Sequence, residues 1–504
     1  MKPESVTLPR DSNQARGLAQ FALDFLSGKL GDPGPAVVRQ VERFHRDSIA
    51  CGVSALAAQA NAPTLLRREA LEYACRAGEG VHCFGSTVPV QPEKAVVANC
   101  SAVREWDSNG TNFGYNPARS HTKGEFGHND FYPVAIAAAQ LSRANGHQTI
   151  RAMILLDEIR GRLAEVFSLK DHKIDHVVHG AIASAVVFAA LLGATVDQIE
   201  SAIGLVVAHY IPFRAIRHGH QLSDSKGASA ALSAEVAVLS ARRAMRGFVG
   251  PADIFRNAEA IFSLFEPPAN SNSSPFDLIL SCAGDDFALM GMHFKLGLYE
   301  HQSAGAIQGL IDLLAKYPAL MAEPELLRSI EITIYEPAFH IIADPAKRNP
   351  TTRQSADHSL VYIVATLLRK AIEQQRSGWR ELMLMPEDYS DAALKHPLTR
   401  HLMGLMQLRH GGKSFDDHYP DGIPTTLAID HATLGHLSSG LIMYPEGHAR
   451  ANTGRLDELL AYKFRALAGS AVSDVNALER RFTNLEQKTP EEIATLYDFE
   501  INGL

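Results

Sequence analysis

Apolar side chains recur at helical spacing through most of the first half of the chain. In the first such stretch, Leu18, Phe21, Ala22, Phe25 and Leu26 fall on one face of a helix. The same pattern covers residues 37–58, 65–76, 96–107, 131–143, 150–167, 196–209 and 228–245. Residues 180–192 are apolar on every side, which a helix tolerates only when other helices surround it. The pattern predicts a helical bundle with residues 180–192 at its centre.

The pattern changes after residues 266–274, a segment rich in Pro, Asn and Ser that we interpret as a linker. Residues 329–335 alternate between apolar and polar, which is typical of a half-buried strand. Two further strands are predicted at 425–429 and 437–443, helices at 304–316 and 358–371, and a return to helices at 455–467, 473–485 and 491–497. We therefore expect a mainly α protein, with a helical domain made of residues 1–286 and 451–504 and a smaller α+β domain at 287–450.

Two polar signals mark predicted helix starts. Thr195 followed by Gln198 has the sequence of a capping box, so a helix is expected to begin at residue 196. Ser473 is the expected N-cap of the helix at 473–485. Such caps bind backbone N–H groups that have no partner within the first helical turn.

Two polar stretches interrupt the helical pattern, one at residues 104–130 and a more basic one at 211–227. A polar segment of about twenty residues in a helical protein is either a solvated surface loop or the lining of a functional site. Candidate site residues come from these stretches, from the residues before 180–192 and from the start of the α+β domain: Asp107, Thr111, His128, Asp175, His176, His179, Arg217, Lys226, His293, Lys295 and His301. Imidazoles beside carboxylates suit proton transfer near neutral pH, and Lys or Arg side chains bind carboxylates. The mixture suits abstraction of a proton next to a carboxylate.

Composition excludes several classes of protein. The net charge of -8 is spread along 504 residues without a basic cluster, so no nucleic-acid partner is expected. The first residues lack the apolar segment of a secretory signal, and the longest apolar run, 181–192, is too short to cross a bilayer. We expect a cytoplasmic protein without a membrane partner. No G-x-G-x-x-G after a strand, P-loop or G-x-S-x-G motif is present, which argues against nucleotide chemistry and serine hydrolysis.

The five cysteines have no C-x-x-C spacing, which argues against a disulfide framework and against a thiolate or iron–sulfur site. The histidines of 172–179 and of His-Gly-His at 218–220 are weak candidates for metal ligands, because no paired Cys or carboxylate pattern accompanies them. We expect no metal.

Several stretches in one order resemble the MmgE/PrpD family. They are WDSNGT with GHND, IDHVVHGAIASAVVFAALLGAT, SKGASAA with GFVGP, HFKLGLYEHQSA, ADHSLVYIVA and YPEGHAR, and together they cover nearly the whole chain. IDHVV and YPEGHAR resemble the 2-methylcitrate dehydratase branch in particular. The resemblance implies that the α+β domain is a lid inserted into the helical domain, that the protein is a homodimer, and that a cofactor-independent site lies between the domains. Propionate catabolism through the methylcitrate cycle is implied in the same way.

The resemblance also implies roles for individual residues. His128, oriented by Asp107, and His176 are the expected proton-transfer groups, and Tyr362 is an expected donor from the lid. Thr111, Lys226 and Lys295 are the substrate-binding residues that the resemblance implies, and the chemistry of their side chains adds His301 and Arg217 as expected substrate-binding residues. The expected reaction is the dehydration of a hydroxy tricarboxylate, with Lys226 and Lys295 holding carboxylates.

Two departures from the family pattern leave the substrate open. Ser229 stands where many members have His or Trp, and His128-Asn129-Asp130 stands where His-Pro-Ser is typical. The spacing from Lys295 to His301 also differs from the dehydratase pattern. Decarboxylation of cis-aconitate and epimerisation of an amino or hydroxy dicarboxylate remain alternatives, since they pass through a similar carbanion. A non-catalytic helical binding protein is the remaining alternative, from a different class.

Overall fold

Helices form the first half of the chain, as the apolar periodicity predicts. The structure is a computed structural model, and it describes residues 4–76, 78–217 and 220–504. The helices of this half are α1 (Gln14–Leu26), α2 (Pro35–Ala57), α3 (Asn61–Leu71), α4 (Pro92–Arg104), α5 (Tyr132–Ser142), α6 (Gly146–Val166), α7 (Val177–Leu191), α8 (Val196–His209), α9 (Asp224–Met245) and α10 (Ile261–Phe265). The prediction of a mainly α-helical fold is confirmed.

The apolar helix predicted at 180–192 is α7, and it is surrounded by α1, α5, α6, α8 and α9. Small residues allow these helices to approach closely. A Cβ atom added at Gly180 would lie 2.1 Å from the ring of Phe131, so no larger side chain fits there without a shift. The capping box of Thr195 and Gln198 begins α8 as predicted.

The helix predicted at 65–76 lies earlier in the structure, where α3 ends at Leu71. The residues after α3 pair with another segment instead of continuing the helix. The backbone N–H of Cys75 donates to the carbonyl oxygen of Pro89 at 2.8 Å, and Ala74 pairs with Val90. This pairing explains why apolar periodicity alone places the helix end too late.

Short strands lie between the helices of the first half: β1 (Ser5–Leu8), β2 (Val81–His82), β3 (Pro89–Val90), β4 (Thr111–Phe113), β5 (Phe126–His128) and β6 (Leu278–Ser281). The polar stretch 104–130 contains β4 and β5, which pair antiparallel with Thr111 opposite His128. Its side chains Asp107, Asn109 and Asp130 are fully buried. The interpretation as a solvated surface loop therefore fails for residues 104–114 and 124–130, while residues 115–123 between them are exposed or half-buried.

The region predicted as α+β contains the largest sheet of the described residues. Its strands are β7 (Leu327–Ile334), β8 (Met406–His410), β9 (Thr425–His431) and β10 (Gly435–Ser438), in the order β10-β9-β7-β8. Strands β7 and β8 are parallel and the other pairs are antiparallel. The strand predicted at 437–443 ends at Ser438 as β10. Ile442 then pairs separately with Thr425, so the chain bends between them.

Helices accompany this sheet: α11 (Ala304–Lys316), α12 (Ala319–Ala322), α13 (Ala338–Ile341), α14 (Arg353–Ala356), α15 (Leu360–Gln374), α16 (Trp379–Leu382), α17 (Asp391–Leu394), α18 (Pro397–Gly404) and α19 (Lys413–Asp416). Helix α11 packs against β9 and α15. The buried side chains of Ile330, Ile332 and Ile334 give β7 its apolar face, as their alternation predicts.

The chain ends in α20 (Leu456–Gly469), α21 (Val475–Phe482) and α22 (Pro490–Ala494). Helices α20 and α21 pack against α2, and α22 packs against α5. The side chain of Asp474, not of Ser473, caps α21 by accepting from the N–H of Ala477 at 2.9 Å. These contacts are those of a helical domain made from both ends of the chain, and the boundaries 286/287 and 450/451 stay predictions.

Among the described residues, no single helix has both the length and the apolar composition needed to span a membrane. Helices α2 and α3 reach that length and composition only when they are taken together, across a bend of 87°.

Candidate active site

A buried cavity lies where the polar stretch 104–130, the start of α7, the basic segment 211–217 and the α+β region meet. It is lined by Arg104, Asp107, Thr111, Phe113, Phe126, His128, His176, Arg214, Arg217, Glu300, Ile341, Lys347 and His358. Its volume of about 40 Å³ corresponds to roughly one to three water molecules. The structure thus brings five predicted site residues, Asp107, Thr111, His128, His176 and Arg217, to one cavity.

Asp107 is the centre of the charged groups beside this cavity. It follows α4 in a left-handed conformation with φ of +49°, which is uncommon for a residue other than Gly. Its carboxylate contacts the side chains of Arg104 and Lys295, and it lies 3.4 Å from Lys226 Nζ and 3.2 Å from His358 Nε2. Four groups that carry or can accept positive charge therefore surround one carboxylate.

These neighbours decide the charge of Asp107. Burial by itself would raise the pKa of the carboxyl, but Arg104, Lys295 and Lys226 outweigh burial and hold the pKa well below its ordinary value. Asp107 is therefore a carboxylate at neutral pH. Because its ion pairs are fully buried, removing one partner would leave an uncompensated charge.

Lys226 and Lys295 do not line the cavity, contrary to the expectation that they hold substrate carboxylates. Lys226 Nζ donates to both carboxylate oxygens of Asp357, at 3.0 and 3.1 Å, and Lys295 contacts Asp107. Both lysine side chains are fully buried. The cations that face the cavity are Arg104, Arg214, Arg217 and Lys347.

The imidazoles of His128 and His176 lie side by side, with ring centroids 5.1 Å apart. His128 ends β5, and His176 precedes α7. Burial lowers the pKa of both rings well below the ordinary value, and positive neighbours such as Arg104 lower it further. Both rings are therefore unprotonated at neutral pH and able to accept a proton.

The expectation that Asp107 orients His128 is wrong, because Arg104 lies between them. Arg104 Nη1 contacts Asp107, while its Nη2 lies 3.4 Å from His128 Nε2. His128 Nδ1 has no hydrogen-bond partner within the described residues. Asp175 is the carboxylate beside His176, 3.1 Å from its Nδ1, and it also accepts from Arg217 Nε at 2.5 Å.

Thr111 is held by its own sheet, since its hydroxyl donates to the carbonyl oxygen of Gly127 at 2.9 Å. His301 is fully buried outside the cavity, and its ring stacks on His293 with a centroid distance of 5.0 Å. The structure therefore gives His301 no direct contact with the cavity.

Tyr362 also lies outside the cavity, in contrast to its expected role as a donor. Its hydroxyl donates to the backbone carbonyl oxygen of Asp388 at 2.6 Å, and its ring is part of the buried core of α15. Near this position, the group that reaches the cavity is His358, four residues earlier. The ADHSLVY stretch thus contains a cavity residue, but it is the His and not the Tyr.

Several further cavity residues carry no strong signal in the sequence. His358 Nδ1 lies 2.6 Å from Asp357 Oδ1, and the Asp-His pair in ADHSLVY was the signal that could have identified it. Burial lowers the pKa of His358 to about 3. Glu300 follows Lys295 by five residues, and Arg214 and Lys347 come from 3-10 helices of three residues each, Arg214–Ile216 and Pro345–Lys347. Only tertiary structure brings these groups together.

Three possible metal ligands, Asp107, Asp357 and His358, lie within 4.8 Å of one another. The ammonium group of Lys226 lies between the two carboxylates, 3.0 Å from Asp357 and 3.4 Å from Asp107. The carboxylates are thus already neutralised by a cation, and this donor set does not fit a metal ion. Of the His-Gly-His candidate at 218–220, His218 and Gly219 lie outside the described residues.

Two domain models of one family together match most of this chain. Residues 16–272 match the MmgE/PrpD N-terminal domain and residues 299–488 match the MmgE/PrpD C-terminal domain. The 2-methylcitrate dehydratase of Salmonella typhimurium is 24% identical over 367 residues, which cover 69% of this chain and 70% of that protein. The 2-methylcitrate dehydratase of Escherichia coli is 23% identical over 368 residues, with the same shares of 69% and 70%.

Proposed function

The chain belongs to the MmgE/PrpD family, and we propose that it is a lyase that removes water from a hydroxy tricarboxylate such as 2-methylcitrate. The product would be 2-methyl-cis-aconitate. The observation that carries the proposal is the pair of adjacent imidazoles, His128 and His176, in a cavity lined by cationic side chains. The names of the similar proteins support 2-methylcitrate as the substrate.

The cationic side chains are the proposed carboxylate-binding groups. Arg214 Nη1 is buried and has no hydrogen-bond partner in the described part of the chain, so it has a donor to offer. Burial lowers the pKa of Lys347 to about 8, and its ammonium group donates to the carbonyl oxygen of Ile341 at 2.7 Å. Guanidinium groups suit carboxylates because two N–H donors match two oxygens.

His128 or His176 is the proposed acceptor of the C–H proton. Both ring nitrogens of His176 are buried, and neither has a hydrogen bond of good geometry among residues 4–76, 78–217 and 220–504, although Nδ1 lies 3.1 Å from Asp175 Oδ1. An unprotonated imidazole next to a bound carboxylate can take the proton from the neighbouring carbon. The guanidinium groups then stabilise the negative charge that develops on that carboxylate.

Glu300 is the proposed donor of the proton to the leaving hydroxide. Burial raises its pKa to about 7, with a further contribution from the negative charge of Asp107. Its carboxyl accepts from the N–H of Gln302 at 2.8 Å and lines the same cavity as the two imidazoles. A carboxyl group with this pKa still carries its proton in a large fraction of molecules at neutral pH.

The proposed step balances as follows. The C–H bond breaks as the imidazole takes the proton, and its electron pair becomes the new carbon–carbon double bond. The C–O bond breaks, and the leaving hydroxide takes the proton of Glu300 and departs as water. The imidazolium then loses its proton and the Glu300 carboxylate regains one from solvent, which restores the starting state.

The proposal is tested by incubating the purified protein with 2-methylcitrate, citrate and cis-aconitate, each with and without a chelator. We expect absorbance of a conjugated alkene from 2-methylcitrate, unaffected by the chelator. Carbon dioxide release from cis-aconitate would indicate a decarboxylase. In a separate incubation with one enantiomer of an amino or hydroxy dicarboxylate, inversion would indicate an epimerase. The absence of any reaction with every compound would favour a non-catalytic binding protein.

The assignment of the imidazoles has its own test. His128→Ala and His176→Ala should each lower turnover by roughly a hundredfold or more. His45 is a buried histidine packed between the rings of Tyr132 and Phe482, outside the cavity, and His45→Phe is the matched control. Near-wild-type turnover in both cavity variants would overturn the assignment.

The proposal also includes the oligomeric state, the location and the pathway. We propose a homodimer that acts in the cytoplasm, within the methylcitrate cycle. The proposed partners are limited to the di- or tricarboxylate substrate, without nucleic acid or membrane. Light scattering after size-exclusion chromatography measures the oligomeric state, and a monomer would contradict this part.

A further inference from the structure

A second, larger cavity adjoins the buried one, and we call it the vestibule. It has a volume of about 700 Å³ and is lined by Lys170, Asp171, Lys173, Phe213, Arg214, Ala215, Pro337, His340 and Ile341. Two of these residues, Arg214 and Ile341, also line the buried cavity. The vestibule and the buried cavity are therefore separated by the side chains of these two residues.

The vestibule concentrates positive charge on a protein whose overall charge is -8. Lys170 is paired with Asp171 at 3.1 Å, so these two charges largely compensate. His340 contacts Glu336. Lys173 is exposed in a left-handed conformation and forms no salt bridge with the residues that the structure describes. Lys173 and Arg214 are thus the cations that remain for an anionic ligand.

Arg214 is held in place by its backbone rather than by an ion pair. Its N–H donates to the carbonyl oxygen of Lys173 at 2.9 Å, and Phe213 pairs with Ile174. The segment is fixed further by Asp175, whose N–H donates to the carbonyl oxygen of Pro212 at 2.8 Å. The same segment therefore connects the vestibule to Asp175, which lies beside His176.

One buried N–H donor of the Arg214 guanidinium has no hydrogen-bond acceptor among the described residues. Burial lowers its pKa, and its Nη1 is shielded from solvent without a hydrogen-bond acceptor in the described parts of the chain. A buried donor without an acceptor costs free energy unless a ligand supplies one. A carboxylate at the boundary of the two cavities would supply it.

We propose that the vestibule is the access route and the first binding site of a polycarboxylate, and that Arg214 transfers this anion into the buried cavity. The inference rests on the proposed function for the identity of the ligand. The volumes support it, since about 700 Å³ accommodates a tricarboxylate, whereas the buried cavity of about 40 Å³ has to widen before it holds one. Arg214 and Ile341 move apart when the anion passes between them.

Lys173→Gln tests the attraction of the anion without disturbing the core, because Lys173 is exposed. We expect a loss of kcat/KM of roughly threefold or more at low ionic strength, which shrinks as salt is added. KM should rise by a larger factor than kcat falls. Lys29→Gln is the control, since Lys29 is also an exposed lysine, with 71% of its side chain accessible, and does not line either cavity. Equal effects of the two substitutions would overturn the proposal.

Arg214→Gln and Arg214→Lys test the transfer step. Arg214→Gln should raise KM by roughly tenfold or more, because it removes a charged donor to a carboxylate. Arg214→Lys should recover part of this loss, because it restores the charge but not the two-pronged geometry. An unchanged KM in folded Arg214→Gln protein would overturn the role of Arg214.

Binding measurements separate this inference from the proposed reaction. If no compound is turned over, the proposed reaction is contradicted. Calorimetric titration with citrate still tests whether the vestibule binds a polycarboxylate. Weaker citrate binding to Lys173→Gln and Arg214→Gln, with unchanged binding to Lys29→Gln, supports it. Citrate that does not bind to the wild-type protein, or that binds all variants equally, overturns it.

Discussion

Lys463, in α20, donates a hydrogen bond of 2.8 Å to the backbone carbonyl oxygen of Lys295. The same ammonium group donates to the carbonyl oxygen of Ser108 at 2.6 Å and lies 2.7 Å from Asp47 Oδ1. Ser108 follows Asp107 directly, so one side chain near the end of the chain holds both segments whose charged groups meet beside the cavity. The helices of the C-terminal segment therefore influence the geometry of the site without contacting it.

Lys463→Met should destabilise the protein and lower kcat. The substitution leaves Asp47 buried without its partner, which costs about 3–5 kcal/mol in the free energy of unfolding. Asp47→Asn combined with Lys463→Met should recover part of this loss, because no charge is then left unpaired. Urea denaturation and turnover of the two variants and of the wild-type protein measure both effects. A Lys463→Met variant with wild-type stability would show that the contacts of Lys463 with Asp47, Ser108 and Lys295 are not needed for stability.

Asp107→Asn should abolish most turnover while the fold survives. Asn tolerates the left-handed backbone of residue 107, but the substitution removes the negative charge between Lys295, Lys226 and Arg104. We expect the free energy of unfolding to fall by about 3–5 kcal/mol. Asp24→Asn, which breaks a surface pair with Lys29, should cost about 1 kcal/mol or less. Similar losses in the two variants would contradict the central role of Asp107.

Tyr362→Phe should leave turnover within about twofold of wild type and should cost about 1 kcal/mol of stability, the value of one hydrogen bond. His358→Asn should lower turnover by at least roughly tenfold, because His358 contacts Asp107 and lines the cavity. Steady-state kinetics measure the turnover of the two variants and so compare the contributions of Tyr362 and His358. The reverse order of effects would restore Tyr362 as a functional residue.

The rate of the proposed dehydration should depend on pH through two kinds of group. The imidazoles accept protons only when unprotonated, and their lowered pKa keeps them active below pH 6.5. Glu300 donates only when protonated, so turnover should fall as pH rises through about 7. Glu300→Gln should lower kcat and remove the alkaline decline. Glu323→Gln, at an exposed position outside the cavity, should keep the wild-type profile.

The stability of the protein should fall in acid because His45 is buried without charge. Burial lowers its pKa to about 3, so the unfolded chain binds a proton near pH 6.5 that the folded chain excludes. Stability from this group is therefore complete above pH 6.5 and is lost as the pH falls toward 3. At pH 5 the loss is roughly 2 kcal/mol.

His45→Phe should remove this contribution while keeping a ring between Tyr132 and Phe482. Denaturation at pH 7.5 and at pH 5 measures the change. We expect the difference in stability between the two pH values to shrink by roughly 2 kcal/mol in the variant. An unchanged difference would show that His45 does not contribute.

The periodicity of apolar side chains was sufficient to predict most of the helices and the alternating strand β7. These signals are local, because burial of one face imposes a period of 3.6 residues on a helix and of two on a strand. The end of α3 and the end of β10 were predicted wrongly because pairing with distant residues, Val90 and Thr425, decides where they stop. Local patterns contain no information about such partners.

The sequence by itself determined the mainly α fold and the family resemblance, and it indicated residues 104–130 as a candidate lining of the site. Only the tertiary structure decided the pairing of charges, because Asp107, Lys226, Lys295 and His358 lie far apart in the chain. It showed that the two lysines neutralise carboxylates, and that the cavity is lined instead by arginines and by Glu300. The physical reason is that a buried charge must find its counter-charge in space, and spacing along the chain does not specify which one it meets.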